Sequence, residues 1–392
     1  MNPRPVLLTI FDGFGLNPSR AYNAWAQART PHLDHYFASW PHTVLQASGR
    51  AVGLPDGQFG NSEVGHLTLG SGRVLQQDLI RIANAIYDGS LSGNPIWQSM
   101  LDGARRLHLV GMVSDGGVHS IEHLTGILEL LRKTEIEPVL HMITDGRDTA
   151  PRAAHVFRKR IEEVLNKLGK GFIATVVGRY CAMDRANNWD RTQRAWEAMV
   201  IARGIPAADP GEAIQMAYSR GEGDEFIQPT VIEGYSGIRP EEPVLFFNFR
   251  SDRARQLSAA FGLPQFDAFD RDHLQLNKLV CLTEYDANYP FPVLFAPQIP
   301  DQVLAQIISE AGLKQLHCAE TEKYAHVTYF FNGGRELPYP GEERKIIPSP
   351  KVATYDQKPE MSASGVADAL IEAIQEDRDN FIVTNFANTD MV

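Results

Sequence analysis

Short apolar runs that alternate with longer amphipathic segments are the feature of this sequence that most restricts its fold. Strand-length apolar runs occur at 6–11, 107–113, 138–143, 172–177, 244–247, 279–282 and 381–384. Helical patterns occur at 121–133, 153–168, 191–202, 302–311 and 363–375, and Asp301 is the predicted N-cap of the fourth. Strands that alternate with helices predict an α/β fold with a parallel or mixed sheet.

Polar residues follow several of these predicted strands. They are Asp12, Asp115, Asp145 and Asn385. Because α/β sheets bind ligands at the carboxyl ends of their strands, these positions are candidates for a functional site. A strand-end aspartate is also a common turn cap, so metal binding and turn capping both stay open for Asp12.

Length, charge and cysteine content limit the class of protein. A chain of 392 residues predicts two domains, and stretches at 71–73 and 289–300 are candidate joints. The net charge of −11 argues against general nucleic-acid binding and against a basic membrane-binding surface. Three scattered cysteines fit a reducing compartment, and no apolar run is long enough to span a membrane. We therefore expect a cytoplasmic protein.

The segment Gly60–His66 contains the candidate nucleophile Ser62. A serine hydroxyl attacks only when another group removes or stabilises its proton, and a divalent cation can do this. The alternative is that Ser62 only caps a helix. If a helix begins here, its free amides also favour an anion at this position.

Basic residues and histidines follow several strands of this acidic chain. Isolated arginines usually form surface ion pairs, but arginines at successive strand ends predict a pocket for a carboxylate or phosphate. The set comprises Arg147, Arg179, Arg185, Arg250 and Arg253. His119 and His123 are spaced for one helix face, which allows a zinc site. The alternative is that His119 belongs to the loop before the helix and that one histidine only packs or forms a hydrogen bond, and contact with an anionic substrate is favoured over zinc. For Lys323, a solvated charged turn and contact with a phosphoryl group both stay open. For Asp390, capping of a loop and metal binding both stay open.

Taken together, these segments resemble the cofactor-independent phosphoglycerate mutases of the alkaline-phosphatase-like superfamily. Eight collinear blocks carry the resemblance: 11–15, 51–67, 114–120, 145–148, 178–190, 248–253, 319–328 and 385–392. The resemblance implies a metal-binding phosphatase-like domain at 1–73 plus 300–392. It also implies an inserted substrate-binding transferase domain at 77–297.

The resemblance also assigns roles to individual residues. Ser62 would become phosphoserine, Asp12 and Ser62 would bind one Mn²⁺ ion, and Asp390 would bind a second. Lys323 would contact the phosphoryl group, and Asp148 is suited to proton transfer with the substrate hydroxyls. The residues implied to hold phosphoglycerate are His123, Arg147, Asp148, Arg179, Arg185, Arg250, Arg253 and Lys323. The implied reaction interconverts 3- and 2-phosphoglycerate and needs no 2,3-bisphosphoglycerate.

Several expectations accompany this assignment. Mg²⁺ could replace Mn²⁺, the partner is a small molecule, and we expect a monomer.

Members of the family continue into further metal-binding histidines and aspartates, and Thr389 stands where proline is usual. We therefore expect an incomplete metal shell, an exposed sheet edge and impaired activity of this chain alone. The alternatives are a metal-dependent phosphohydrolase and a non-catalytic phosphoglycerate-binding module.

Overall fold

The computed structural model describes residues 5–115, 119–271, 276 and 278–392. Contacts between Cα atoms divide the chain into a first unit, Met1–Gln77 with Gln298–Val392, and a second unit, Asp78–Pro297. The strands of the described residues are β1 (Val6–Phe11), β2 (Arg106–Met112), β3 (Glu137–Thr144), β4 (Phe172–Gly178), β5 (Ile205–Ala207), β6 (Thr230–Ile232), β7 (Val244–Phe246), β8 (Leu279–Thr283), β9 (Val293–Phe295), β10 (Gln315–Glu320), β11 (Glu342–Ile347) and β12 (Phe381–Phe386).

The α-helices of the described residues range from single turns to four turns. They are α1 (Ala24–Gln27), α2 (Pro31–Ser39), α3 (Ser62–Ser71), α4 (Asp78–Tyr87), α5 (Pro95–Leu101), α6 (Ile121–Leu130), α7 (Ala154–Leu168), α8 (Arg179–Ala182), α9 (Trp189–Ile201), α10 (Pro210–Ser219), α11 (Ser251–Gly262), α12 (Leu304–Glu310), α13 (Ala363–Glu376) and α14 (Asn388–Met391). No helix that the structure describes is both long and apolar enough to cross a membrane.

The first unit contains a parallel sheet in the order β1-β12-β10-β11. Successive residues of β12 face opposite sides, because side chains alternate along a strand. Ile382 packs in a cluster with Leu370 of α13, whereas Val383 packs in a cluster with Ile308 of α12. β1 forms an edge of this sheet, and the Val6 side chain on it is 63% exposed.

The second unit contains a sheet in the order β5-β6-β4-β3-β2-β7-β8-β9. The pairing is parallel except between β4 and β6. Leu109 and Leu140 face a cluster that includes α6 and α7, whereas Val110 and Val139 face one that includes α9 and α11. The layers are therefore helix, sheet and helix, which explains why these central strands read as continuous apolar runs.

The seven apolar runs all form strands and the five helical patterns all form helices, but two local predictions are wrong. Asp301 does not cap α12, because Gln302 adopts a left-handed φ of 57° and the helix begins after Val303. The shared helix face of His119 and His123 is also wrong, and the alternative that His119 lies in the entry loop is confirmed, because α6 begins at Ile121. Five strands of the described residues have no counterpart among the predicted runs: β5, β6, β9, β10 and β11.

Candidate active site

Ser62 is the first residue of α3, in the first unit. Asn61 has an extended backbone and its side chain accepts a hydrogen bond from the Val64 amide at 2.9 Å, which is N-cap geometry. A helix does begin at Ser62, and the alternative that Ser62 caps it is wrong, because the capping residue is Asn61. The Ser62 side chain is therefore free for other contacts, at the end of the helix where backbone amides favour negative charge.

Three predicted site residues contact one another around the Ser62 hydroxyl. Ser62 Oγ donates to Asp12 Oδ1 at 2.9 Å and accepts from Lys323 Nζ at 2.9 Å. Lys323 Nζ also lies 3.1 Å from Asp12 Oδ2 and forms an ion pair with Asp390. Two carboxylates and one hydroxyl thus converge on a single buried ammonium group.

The chain segments that carry these residues fit closely. Asp12 follows β1, and Gly13 has a φ of +67° at a point where an added Cβ would lie 2.8 Å from the Asp390 Cα. Only glycine suits that backbone conformation and that approach. Thr389 Oγ1 donates to the Asp12 carbonyl oxygen at 2.5 Å, so α14 is tied to the end of β1.

Asp12 is held as a carboxylate by its hydrogen-bond donors. Burial alone raises the pKa of Asp12, but hydrogen bonds from Asn385, Ser62 and Lys323 outweigh burial and leave the pKa below its usual value. The negative charge of Asp12 is consequently stable at neutral pH. A charged Asp12 keeps the Ser62 hydroxyl proton directed towards itself.

Two residues without a predicted role lie beside this group. His66 Nδ1 is 2.7 Å from the Ser62 carbonyl oxygen, and His66 Nε2 is 2.9 Å from Asn385 Nδ2. Asn385 Nδ2 also donates to Asp12 Oδ2 at 3.0 Å. The signal was present in the sequence: His66 ends the Gly60–His66 segment and Asn385 follows a strand, but neither was given a function.

A divalent cation can be tested against this donor set. Asp12, Asp390 and Ser62 offer oxygen ligands, which suit Mn²⁺ or Mg²⁺ rather than a softer metal. Within the part of the chain that the structure describes, no group of three or more His, Cys, Asp or Glu residues is arranged to hold a metal ion. Among the described residues, Asp12, Asp390 and Ser62 therefore provide only part of the ligands that a divalent cation needs, and the Lys323 ammonium pairs with both carboxylates.

In the second unit, Asp145 organises the polar residues that follow β3. Its Oδ1 atom accepts from the backbone amides of Arg147 and Asp148 at 3.1 and 3.0 Å, and from Arg179 Nη1 at 2.6 Å. Arg179 Nη1 also pairs with Asp148 Oδ2 at 2.8 Å. Asp145 is 2% exposed. It was noted only as a strand-end residue, and the structure makes it the anchor of three predicted substrate-binding residues.

Arg253 lies close enough to three other arginines of the second unit for their positive charges to act on it. Burial lowers the pKa of Arg253, and the positive charges of Arg185, Arg179 and Arg147 lower it further, whereas the Asp252 carboxylate raises it. Arg253 Nη1 donates to the Met183 carbonyl oxygen at 3.3 Å. Such an excess of positive charge at strand ends is suited to an anionic ligand.

The remaining predicted residues of the second unit occupy different surroundings. Arg250 lines a cavity of about 450 Å³ together with Asp252 and Thr283. His123 is buried, its Nε2 atom is 2.9 Å from the Leu79 carbonyl oxygen, and its Nδ1 atom has no partner among the described residues. Burial lowers the pKa of His123, so this ring is neutral at pH 7. Asp115 is exposed and has no described role.

Comparison with known proteins decides the family. A family model described as the N-terminus of BPG-independent PGAM matches residues 82–287. The 2,3-bisphosphoglycerate-independent phosphoglycerate mutase of Symbiobacterium thermophilum is 52% identical over 99% of this chain and 77% of that protein. The chain belongs to the 2,3-bisphosphoglycerate-independent phosphoglycerate mutases.

Further relatives agree with this assignment. The mutase of the same name from Moorella thermoacetica is 52% identical, over 99% of this chain and 78% of that protein. A crystal structure of Leishmania mexicana phosphoglycerate mutase at low cobalt concentration matches all of this chain and 75% of that one, with a TM-score of 0.60 and 32% identity. The predicted fold class, an alkaline-phosphatase-like sheet with an inserted α/β unit, is confirmed, as is the predicted family.

Proposed function

We propose that this chain interconverts 3-phosphoglycerate and 2-phosphoglycerate through a phosphoserine at Ser62. Relatives that are about 50% identical over nearly the whole chain are named 2,3-bisphosphoglycerate-independent phosphoglycerate mutases. One observation supports Ser62 as the nucleophile. Its hydroxyl lies between the Asp12 carboxylate and the Lys323 ammonium, in the first turn of α3.

The residues of the first unit suit phosphoryl transfer. Ser62 Oγ loses its proton and bonds to phosphorus while the bond from phosphorus to the substrate oxygen breaks. The departing oxygen takes up one proton to give glycerate, so no net proton is gained or lost. Asp12 orients the Ser62 hydroxyl, and the Lys323 ammonium opposes the negative charge on Oγ and on the phosphoryl oxygens. The reverse transfer, to the other hydroxyl of glycerate, gives the isomeric product.

We assign substrate binding to the second unit. Guanidinium groups bind carboxylates and phosphates through paired hydrogen bonds, and the arginines of the second unit are spaced closely enough to repel one another. Asp148, which pairs with Arg179 and remains partly exposed, is positioned to exchange a proton with a glycerate hydroxyl. Retention of glycerate during the phosphoserine stage is what separates a mutase from a phosphohydrolase.

The cofactor proposal follows from the oxygen donors of the first unit. Asp12, Ser62 and Asp390 would provide ligands for two Mn²⁺ ions, or Mg²⁺. When bound, these ions would lower the pKa of the serine hydroxyl and neutralise phosphate oxygens.

The three buried free cysteines, at positions 181, 281 and 318, support a cytoplasmic location. The monomeric state remains a prediction.

The activity can be tested directly with the wild-type chain. ³¹P NMR spectra of 3-phosphoglycerate, recorded with Mn²⁺ and separately with Mg²⁺, should show 2-phosphoglycerate, and mass spectrometry of quenched samples should find phosphate on Ser62. Ser62→Ala should reduce turnover about 10⁴-fold or more, because the covalent route is lost. Ser39→Ala, on the exposed end of α2, is the control. Accumulation of inorganic phosphate would indicate a phosphohydrolase, and substrate binding without turnover would indicate a binding module.

A further inference from the structure

A closed circuit of hydrogen bonds runs through the first unit behind the Ser62 hydroxyl. It passes from Ser62 Oγ to Asp12 Oδ1 at 2.9 Å, and from Asp12 Oδ2 to Asn385 Nδ2 at 3.0 Å. It continues from Asn385 Nδ2 to His66 Nε2 at 2.9 Å, and returns from His66 Nδ1 to the Ser62 carbonyl oxygen at 2.7 Å. The circuit joins β1, β12 and α3.

The chemistry of the partners sets the direction of each bond. The charged carboxylate of Asp12 only accepts, so the amide nitrogen of Asn385 must face it. The same nitrogen faces His66, and therefore His66 Nε2 accepts and carries no proton. His66 Nδ1 then carries the proton of the neutral ring and donates it to the Ser62 carbonyl oxygen. The opposite amide orientation would place an oxygen against the carboxylate of Asp12.

Burial makes this circuit rigid. His66 is 2% exposed and Asn385 is fully buried, so water does not compete for these bonds. Asp12 uses its two oxygens differently: Oδ2 accepts from Asn385 and pairs with Lys323 at 3.1 Å, whereas Oδ1 accepts from Ser62. Of the two partners of Oδ2, only Asn385 is tied in turn to α3, through His66. Rotation of the Asp12 carboxylate would break two bonds of the circuit at once.

We propose that His66 and Asn385 are positioning residues that fix the Asp12 carboxylate relative to the Ser62 hydroxyl. This inference rests on the proposed role of Ser62 as nucleophile. His66 does not touch the reacting hydroxyl, and it acts through its unprotonated Nε2, which accepts from Asn385. The essential property is thus an acceptor at the position of Nε2 rather than the size or charge of the ring.

Two variants of similar size separate this role from packing. Glutamine carries an oxygen that can reach the position of Nε2, whereas methionine fills similar space and lacks a strong acceptor. His66→Gln should keep kcat within about threefold of wild type, whereas His66→Met should lower kcat about 10- to 100-fold with KM little changed. Equal kcat values for the two variants would overturn the proposal. His35→Met, on the exposed face of α2, should leave both constants unchanged.

Asn385 provides an independent check through the double variant. Asn385→Ala should lower kcat as much as His66→Met, because either change releases the Asp12 carboxylate. The double variant His66→Met with Asn385→Ala should then lose no more than the larger single loss, since both residues act through one chain of bonds. Losses that multiply would show separate roles and contradict the proposal.

A spectroscopic measurement separates this inference from the proposed function. Long-range ¹H–¹⁵N spectra of the metal-free wild-type chain at pH 7, with the His66 signals assigned by their absence in His66→Gln, report which ring nitrogen carries the proton. We expect the neutral tautomer protonated at Nδ1, and a proton on Nε2 would overturn the inference even in an active enzyme. A chain that has this tautomer but no mutase activity would refute the proposed function alone. The spectrum also decides the matter if a variant fails to fold.

Discussion

The candidate sites of the two units have opposite electrostatic character. In the first unit, the Asp12 and Asp390 carboxylates surround one ammonium group, that of Lys323. In the second unit, positive charges crowd one another, and Arg253 is affected by three other arginines. The first arrangement favours an additional cation and the second favours an anion. Both lie at the carboxyl ends of parallel strands, so the same sheet architecture supports opposite ligand preferences.

This difference teaches that overall charge is a poor guide to either site. The chain carries a net charge of −11, yet the second unit gathers a cationic cluster after its strands. Buried anchors make that possible: Asp145, for example, neutralises part of the charge of Arg179 and orients its guanidinium group. Substitutions that change one site and leave the other intact test whether the two sites prefer ligands of opposite charge.

Among the substitutions that test this comparison, Lys323→Met in the first unit should have the largest effect. Loss of the ammonium group should lower kcat about 10²- to 10³-fold, because the phosphoryl oxygens lose a charged partner. The same variant should bind Mn²⁺ more tightly in calorimetric titrations, because the two carboxylates no longer share a resident cation. Lys351→Met, at an exposed position, serves as the control. Weaker Mn²⁺ binding by Lys323→Met would contradict the cation preference assigned to the first unit.

Arg253→Gln should affect the second unit in two opposite ways. The Kd for 3-phosphoglycerate should rise about 10- to 100-fold, because a charge-assisted contact is lost. The free energy of unfolding should stay constant or rise by up to about 1 kcal/mol, because repulsion from neighbouring arginines is relieved. Calorimetric titration and urea unfolding measure the two quantities. Arg203→Gln, 66% exposed before substitution, should change neither. Unchanged substrate affinity in Arg253→Gln would remove this residue from the anion site.

Acid should destabilise the second unit partly through His119. Burial lowers the pKa of His119 from 6.5 to about 4, so the unfolded chain takes up this proton before the folded chain does. Stability from this group is therefore fully present above pH 6.5 and is lost as the pH falls towards 4. Between pH 7 and pH 5 the loss is about 2 kcal/mol.

The comparison of His119→Gln with wild type isolates that contribution. In urea unfolding at pH 7 and pH 5, the variant should lose about 2 kcal/mol less than the wild type on acidification. His42→Gln, at an exposed position, should follow the wild type. Parallel pH profiles for His119→Gln and wild type would mean that His119 is not held neutral.

The smallest effects concern helix caps, for which the two units should behave alike. Asn61 caps α3 through the Val64 amide at 2.9 Å, and Asn94 caps α5 through the Ile96 amide at 2.8 Å. Asn61→Ala and Asn94→Ala should each lower the free energy of unfolding by about 1 kcal/mol. Serine at either position should restore most of the loss. A difference well above 1 kcal/mol between the two alanine variants would show that Asn61 does more than cap the helix.

Six of the seven predicted strands are recognisable because they are buried on both faces, whereas β1 is exposed or half-buried and is recognised by its apolar run alone. The run at 107–113, for example, alternates between two apolar clusters and contains few polar residues. β10 was missed because its buried side chains include Gln315 and His317, which look like surface residues in the sequence. Gln315 donates to the Ala305 carbonyl oxygen at 2.8 Å, and His317 Nδ1 lies 2.6 Å from the Val327 carbonyl oxygen. Only these tertiary partners make the two polar residues compatible with burial.

The candidate site was predictable to a different degree in each unit. Ser62, Asp12, Lys323 and Asp390 were chosen by motif and resemblance, and the structure brings them into contact. The roles assigned to them remain predictions. Asn385 is a strand-end candidate without a specific role and His66 has no predicted role, because their importance depends on a bond between residues 319 positions apart. For Asp145, local turn chemistry accounts for its bonds to the amides of Arg147 and Asp148, but its ion pair with Arg179, 34 positions away, is visible only in the tertiary structure.

Local chemistry in the sequence determined the alternation of strands and helices, the family, and the residue types available for catalysis. These follow from apolar periodicity and from short motifs, which act over a few neighbouring residues. The tertiary structure decided which polar groups meet: the circuit through His66 and Asn385, the anchoring by Asp145, and the opposite charge of the two sites. The physical reason is that hydrogen bonds and charges act over a few ångströms in space, whatever the separation of their residues along the chain.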